Sequence, residues 1–540
     1  MKQDNKTKGV YSVYAQHRRE KTQMSLIAAL SVAFNIGFFS PMDFYLNNIV
    51  DVTLPYKIVL LACAPVAIVL FIAVFLTLKL TKGKAHIAAL SLTVGINLAT
   101  YIQGNFMTIG MATLDGSAYS VSFIRATVDI LLWCVLLVMP FFIYIKANDL
   151  FRGMVILIST AVILIELVAI ITDVIGLIGK EYTWRMMMSE EHYLESCKVT
   201  DEFTYSTKKN HIVFIVDQYD SFVFDNAVSR EPESVSGFDG FTYYNNTVGM
   251  YKYTDKSMAY LFTNRLIENE DALGDQYKSD NLFRHIPEDY KVEFYCDSNL
   301  LPKEVMRNEA ENVEEHSISF NDVTNITSAM FKMVMYRISP DVSKGLFWSY
   351  TGDFINSLSS VKTYLSDNQV FYRSLPDEIK YTDEPCYKLF YLKGIHAPRT
   401  TDQNIERVED GKVIPTDCAI GVNKVLSEYF ELLKKGGVYD NSDIIVLADH
   451  GQRPNYGGKF PLFMIKLAGD TQEGIRTSSV PVSYADFYST CLFLLGDESS
   501  KSTSVFALSE GEKRERYFAE SDEYITEDVD RTLPLIENGD

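Results

Sequence analysis

The sequence predicts an α-helical membrane domain of five transmembrane helices followed by an α/β domain with a mostly parallel, doubly wound sheet. Three observations predict it. Long apolar runs fill residues 24–179. From residue 180 onward apolar, charged and turn residues alternate as in a globular chain facing water. Within that second part, short strand-like runs alternate with helical segments. At 540 residues the chain also exceeds what one hydrophobic core organises. The expected division is a basic tail over 1–23, the five-helix region over 24–179, a juxtamembrane linker over 180–209 and the α/β domain over 210–540.

Residues 56–80, 121–145 and 154–175 are apolar over the roughly 20 residues that cross a hydrocarbon core. Residues 24–46 are interrupted by Pro41 and Asp43, and 87–103 carry Asn97 and Tyr101. Both remain apolar enough to span when packed against neighbours. Lys2, Lys6, Lys8, Arg18, Arg19 and Lys21 precede the first span, and Lys79, Lys82 and Lys84 fill the second connection, which places these segments in the cytoplasm. The intervening loops hold Asp43, Asp51 and Asp115 and face outward, so an odd number of crossings carries the C-terminal domain outside the cell membrane. The first span lacks the short flank and small-residue cleavage site of a removed signal.

Arg125 and Asp129 stand four apart and can pair on one helix face, and Glu166 lies at membrane depth, where an unpaired charge is expensive. An interhelical ion pair is the expected role, with a polar lining for a lipid headgroup as the alternative. The net charge of −20 excludes nucleic acid as a partner, since phosphate backbones reward basic surfaces. It also means that any phosphate must be held by a local basic or metal site. The seven cysteines show no metal-ligand spacing and suggest no disulfide.

In the second part, 211–216, 291–295, 387–392, 444–448 and 461–465 read as strands, and 416–435 and 483–495 as helices closed by glycines. Ligands of open α/β sheets bind at the carboxyl ends of strands. Asp217 directly follows the first strand, His396 comes just after the third, and Asp449 with His450 follows the fourth. Each alone is ordinary turn chemistry; the conjunction marks a site. Asp220 reads as a helix-start residue and Arg399 as a surface charge. Residues 321–357, with Met330, Met333, Met335 and Trp348, read as an insertion outside the sheet whose methionines are ordinary core, with Trp348 suited to a membrane interface.

Four segments resemble the alkaline phosphatase superfamily, in its membrane-anchored sulfatase-like branch that includes lipoteichoic acid synthases and phosphoethanolamine transferases. HIVFIVDQYDSF from His211 resembles the first strand and metal carboxylate of that family, and DIIVLADHGQ from Asp443 its Asp-His pair. GIHAPRT from Gly394 is similar to its histidine loop, and PVSYADFYSTCLFLLG from Pro481 to the helix after the site. The run TDKSMAYLFTN aligns with the sulfatase C-x-P-x-R segment, with Thr254 in the cysteine position and no Pro or Arg following, so formylglycine chemistry is excluded. A threonine there is what the synthases and transferases use. Asp217 stands where lipoteichoic acid synthases usually carry glutamate, and their glycerol-phosphate pocket does not transfer onto this sequence.

The resemblance implies an alkaline phosphatase-like fold, a divalent metal held by Asp217, Thr254, Asp449 and His450, and catalysis by Thr254 with His396 as donor to a phosphoryl oxygen or the leaving group. Mn²⁺ is expected by analogy with the family, with Mg²⁺, Zn²⁺ or Ca²⁺ as alternatives. The expected activity is transfer of a phosphoryl-linked group from a membrane lipid donor to an envelope polymer or lipid acceptor. The alternatives are an extracytoplasmic phosphoesterase or sulfatase-like hydrolase, and an inactive envelope scaffold or receptor, against which the retained ligand set counts. The charge asymmetry of the spans makes one expectation directly testable. A reporter active only outside the cytoplasm, fused after Asp540, should be active, and activity of a cytoplasm-only reporter there would show that a span has been miscounted.

Overall fold

The computed structural model describes all residues except 1, 53, 109–120, 179, 181–183, 185–186, 189–192, 268–272, 297–299, 350–356, 358–363, 409–412, 453–454 and 536–540. Asp115 and parts of the expected linker and insertion therefore lie outside the described residues. Contacts divide the chain into two compact units, the first comprising Met1–Leu114, Tyr119–His192 and Ile318–Ser360, the second Asp115–Ala118, Tyr193–Ser317 and Val361–Asp540.

Among the described residues of the first unit the apolar runs form five helices long and apolar enough to cross a membrane: Arg18–Asn47, Tyr56–Leu80, Gly83–Phe106, Phe123–Lys146 and Asn148–Gly176. Pro41 does not break the first of these. A π-helical turn over Asn35–Phe39 precedes it, and the widened turn accommodates the missing N–H and the proline ring. The polar residues inside the spans are shared between helices: Asn35 donates to Asn97 Oδ1 (3.1 Å) and Thr100 Oγ1 (3.1 Å), and Asn97 donates to Ser31 (2.7 Å). Such bonds hold helices together where no water competes. Ile68, Val69, Val135, Leu157 and Val168 point outward and present an apolar surface suited to lipid tails.

The segment after residue 318 joins these helices and not the sheet. Its helix, Phe320–Ile338, opens on a capping box between Ser319 and Asp322 and buries Ile326, Met330, Met333 and Val334 within the unit. Arg337 forms an ion pair with Asp43 and donates through Nε to Gly104 O (2.9 Å). Asp341 accepts from Arg125 Nε (2.6 Å) and Gln103 Nε2 (3.2 Å), while its own N–H donates to Asp129 Oδ2 (2.8 Å). Two expectations change as a result. Arg125 and Asp129, expected to pair with each other, are both engaged by Asp341. Asp43, expected in an outward loop, is buried in the helix Ser40–Asn47 and meets Arg337.

Among the described residues the main sheet of the second unit has seven strands: β1 Asn210–Val216, β2 Phe241–Tyr244, β3 Lys291–Tyr295, β4 Cys386–Leu392, β5 Ser442–Leu447, β6 Phe463–Lys466 and β7 Arg476–Ser478. They lie in the order β7-β2-β6-β5-β1-β4-β3. The pairings β5–β1, β1–β4, β4–β3 and β7–β2 are parallel, and β6 runs antiparallel to both neighbours. The sheet is therefore mixed but mostly parallel. β1 and β4 are buried along their whole length, as continuous apolar strands in a sheet covered on both faces must be. On one face Phe390 stacks at 4.8 Å on both Phe214 and Tyr295, and Tyr429 of the helix Pro415–Lys435 meets Phe214 edge-on at 4.9 Å. Elsewhere in the same core, Phe294 meets Phe283 (4.6 Å), which meets Phe262 (4.7 Å).

One charged pair sits inside this core. Lys388 of β4 and Glu293 of β3 are register partners, both shielded from water, and form an ion pair; Lys388 also donates to Asp201 O (2.9 Å). Removing one member leaves the other charge buried, although Lys291 stays 3.2 Å from Glu293. Lys388→Met should therefore lower unfolding stability by roughly 2–4 kcal/mol, whereas replacing both partners with apolar residues should cost less. Denaturant melts of the two proteins would check this, and equal losses would contradict it.

Candidate metal centre

β5 and β1 are parallel and in register, Leu447 opposite Ile215, so the residues that follow them emerge side by side at one sheet edge. Asp217 follows β1, and Asp449 with His450 follows β5. One ligand atom from each of these three buried residues lies within 4.8 Å of the other two. The backbone is bent to serve them. Gln218 adopts a left-handed conformation, φ 59°, and its N–H donates to Asp449 Oδ1 (2.9 Å), which also accepts from His450 N (2.8 Å). A non-glycine residue held at positive φ is strained, and here the strain aims a donor at the site.

The residues fit a divalent cation. Asp217 Oδ1 and Asp449 Oδ2 are buried and have no hydrogen-bond partner among the described residues, a costly state for a carboxylate unless a cation is its partner. Burial pushes the Asp217 carboxyl well above the usual range, and the Asp449 charge pushes it further; His450, a Tyr391 hydrogen bond and Lys393 act in the opposite direction. His450 Nδ1 lies 2.8 Å from Gly451 O, and a proton donated there leaves Nε2 with the lone pair, 3.6 Å from Asp449 Oδ2. Two carboxylates and one imidazole suit a hard or borderline metal ion.

The other site residues predicted from sequence belong to the same unit. His396 lies in the loop after β4, half-buried, with Nδ1 2.6 Å from Ala397 O. That loop is stitched to Asp217: Asp217 N donates to Leu392 O (3.0 Å) and Ile395 N donates to Asp217 O (3.1 Å). Thr254 is the first residue of the helix Thr254–Thr263, half-buried, and its hydroxyl makes no side-chain hydrogen bond among the described residues. The neighbouring hydroxyls are both buried and spent on backbone carbonyls, Ser257 on Tyr251 (3.2 Å) and Thr247 on Tyr244 (2.7 Å). The segment that precedes Thr254 meets the loop after His450 at glycines. Gly451, next to His450, bonds Gly458 O (3.0 Å), and a Cβ on Gly458 would stand 3.0 Å from Gly451 O and 3.3 Å from Lys252 Cβ. The segment before Thr254 thus packs against the loop after His450.

Asp220 is the N-cap of the helix Ser221–Arg230, as expected, and burial pushes its carboxyl up to about 7. Arg399, expected at the surface, is buried and donates through Nε to Ile395 O (3.1 Å). Sequence reasoning missed Gln218, Asn368, Gly394 and Tyr484. Asn368 clamps Gly394 in both directions, 2.7 and 3.0 Å, and Tyr484 donates to Ala448 O just before Asp449. Of these, only Gly394 leaves a sequence signal, a glycine beside the histidine loop. Its φ is +58°, and a Cβ there would stand 2.4 Å from Asp217 O and 2.7 Å from Asp217 N. Gly394→Ala should displace Asp217, cost roughly 2–4 kcal/mol and reduce bound divalent metal, read by elemental analysis of the purified protein. Full metal content with unchanged stability would contradict the role assigned to Gly394.

No family model and no curated protein matches this sequence. Among solved structures, the chain is similar to the integral membrane protein lipooligosaccharide phosphoethanolamine transferase A (EptA) from Neisseria meningitidis, at 11% identity over 89% of this chain and 96% of that one, with a TM-score of 0.31. It is similar to a protein in the alkaline phosphatase superfamily from Vibrio parahaemolyticus at 12% identity, over 63% of this chain and 86% of that one, TM-score 0.33. The phosphonate monoester hydrolase from Silicibacter pomeroyi matches at 14% identity, over 57% and 78% of the two chains, TM-score 0.32.

Proposed function

We propose that this protein is a multi-pass membrane enzyme of the alkaline phosphatase superfamily that transfers a phosphoryl-linked group from a membrane lipid to a cell-envelope acceptor, with its α/β unit outside the cytoplasm. One observation carries the proposal: a buried Asp217, Asp449 and His450 ligand set with two orphaned carboxylate oxygens shares a unit with Thr254, whose hydroxyl is unspent. The five apolar helices support a donor drawn from the lipid phase.

Asp217, Asp449 and His450 would hold the ion, proposed as Mn²⁺, with Thr254 joining them. The cation supplies positive charge that lowers the pKa of a coordinated hydroxyl and offsets charge on the phosphoryl oxygens. Thr254 Oγ1, having given its proton to solvent, forms a bond to phosphorus as the bond from phosphorus to the lipid oxygen breaks, and the departing oxygen takes a proton, for which His396 is the proposed donor. In the second step an acceptor hydroxyl gives up its proton, bonds to phosphorus and releases Thr254. The imidazole, tied at Nδ1 to Ala397 O, is the proposed acceptor of that second proton.

Thr254→Ala should lower turnover by ~10³-fold or more while leaving divalent metal content close to normal, whereas Ser257→Ala should be mild. A phosphoryl adduct mapped to Ser257 or Thr247 by peptide mass spectrometry, or near-normal turnover of Thr254→Ala, would remove Thr254 from the mechanism. Transfer itself is tested with lipid donors, from which the purified protein should release diacylglycerol or a similar lipid product. Efficient cleavage of soluble phosphate or sulfate esters with lipids inert would make the protein a hydrolase.

A further inference from the structure

The three strands β5, β1 and β4 lead into the candidate metal edge at their carboxyl ends, and their amino ends carry a second row of polar residues. Asp443, His211 and Tyr387 are each the second residue of their strand. Asp443 is the register partner of His211, and His211 of Tyr387, so the three side chains share one face of the sheet. All three are buried. The helix Phe487–Leu494 brings Cys491 and Leu494 to the same place, and these five residues line one cavity. Lys209 joins two of its walls, donating to Leu494 O (3.2 Å) and standing 3.6 Å from Asp443 Oδ2.

The hydrogen bonds of this row do not balance. His211 Nδ1 lies 3.3 Å from Asp443 Oδ2, and Asp443 Oδ1 accepts from Ala468 N (2.7 Å). A carboxylate beside Nδ1 keeps the imidazole proton on that nitrogen, which leaves Nε2 with a lone pair. Burial first, and then the Lys209 charge, lower the imidazole to about 3, so the ring is neutral and Nε2 is an acceptor. Neither His211 Nε2 nor the Tyr387 hydroxyl has a hydrogen-bond partner among the described residues, and both atoms are buried. An acceptor and a hydroxyl lining one cavity, both unpaired, call for a small molecule that can donate to one and accept from the other.

Size and chemistry choose that molecule. The room open to the centre of a water molecule is about 10 Å³, which matches one water. A metal ion would find one free imidazole nitrogen and a phenol, too few donors for a closed site. Nor is Cys491 a nucleophile beside a histidine and an aspartate, since burial pushes its thiol well above the usual range and the sulfur stays protonated. We propose that this cavity is a hydration site for one structural water, which donates to His211 Nε2 and accepts from the Tyr387 hydroxyl. The water extends the Asp443–His211 pair to Tyr387, so one polar chain crosses three strands at the ends opposite Asp217, Asp449 and the His396 loop. The site stands apart from the metal chemistry and from the role of Thr254.

The test is a density map of the full chain in detergent, at a resolution where other buried waters are visible. A peak about 3 Å from both His211 Nε2 and the Tyr387 hydroxyl oxygen is expected. A map that shows other buried waters and none here overturns the site. Tyr387→Phe gives an independent reading, because the sign of its effect depends on what fills the cavity. With a bridging water, loss of the hydroxyl leaves the water one partner short, and the melting temperature should fall by roughly 1–3 °C. In a dry cavity the same change removes an unpaired hydroxyl, so an unchanged or raised melting temperature overturns the bridge. Should Tyr387→Phe fail to fold, the wild-type map decides.

Discussion

Two buried carboxylates, Asp217 and Asp449, set the terms for the α/β unit. Each follows the end of a central parallel strand, and the register of β5 on β1 fixes their separation. Burial first, and then the like charge of Asp449, drive the Asp217 carboxyl upward. Their surroundings act to hold them in spite of that cost. Gln218 gives up a relaxed backbone to donate to Asp449, Gly394 takes a conformation open to glycine so that its loop can lie on the Asp217 backbone, and Tyr484 bonds the last residue before Asp449. A fold that only needed stability would place apolar residues there.

Much of this was legible in the sequence because the signals were local. The apolar run from His211 ends at Asp217, and the run after Asp443 ends at Asp449, so strand and ligand were read together; the observed strands start only one or two residues earlier. β3 was read with its observed limits. β2 and β7 escaped notice because Phe241–Tyr244 and Arg476–Ser478 are short and mix polar with aromatic residues, so neither period nor composition marks them. The reversal at β6 left no mark in its own residues, since direction is a property of the partner. Asn368 and Gly394 meet across 26 positions, a separation that no local pattern spans.

The membrane unit illustrates the same limit at longer range. Its spans were readable from length and apolarity, and the polar Asn97 fits inside a span because Asn35 and Ser31 face it. Its charges were not readable. Asp43 and Arg337 meet across 294 positions, and Arg125 meets Asp341 across 216. A helix pair four residues apart was the natural expectation for Arg125 and Asp129, yet the Arg125 guanidinium goes to the Asp341 carboxylate and Asp129 Oδ2 accepts the Asp341 N–H, both from a segment more than 200 positions away.

That fold-back has a consequence for how the chain is divided. Residues 318–360 leave the α/β unit after Ser317 and return to it at Val361, yet every ion pair and hydrogen bond traced here for Arg337 and Asp341 is made with the apolar helices. Met330 and Met333 are core, as their type suggests, but core of the helical unit. A chain that passes between the units at 192/193, 317/318 and 360/361 cannot be cut at one linker into two intact parts. Truncation near residue 193 would strip Asp341 and Arg337 of their partners and leave an amphipathic helix without a surface to cover, so the helical unit and the segment 318–360 form one folding problem.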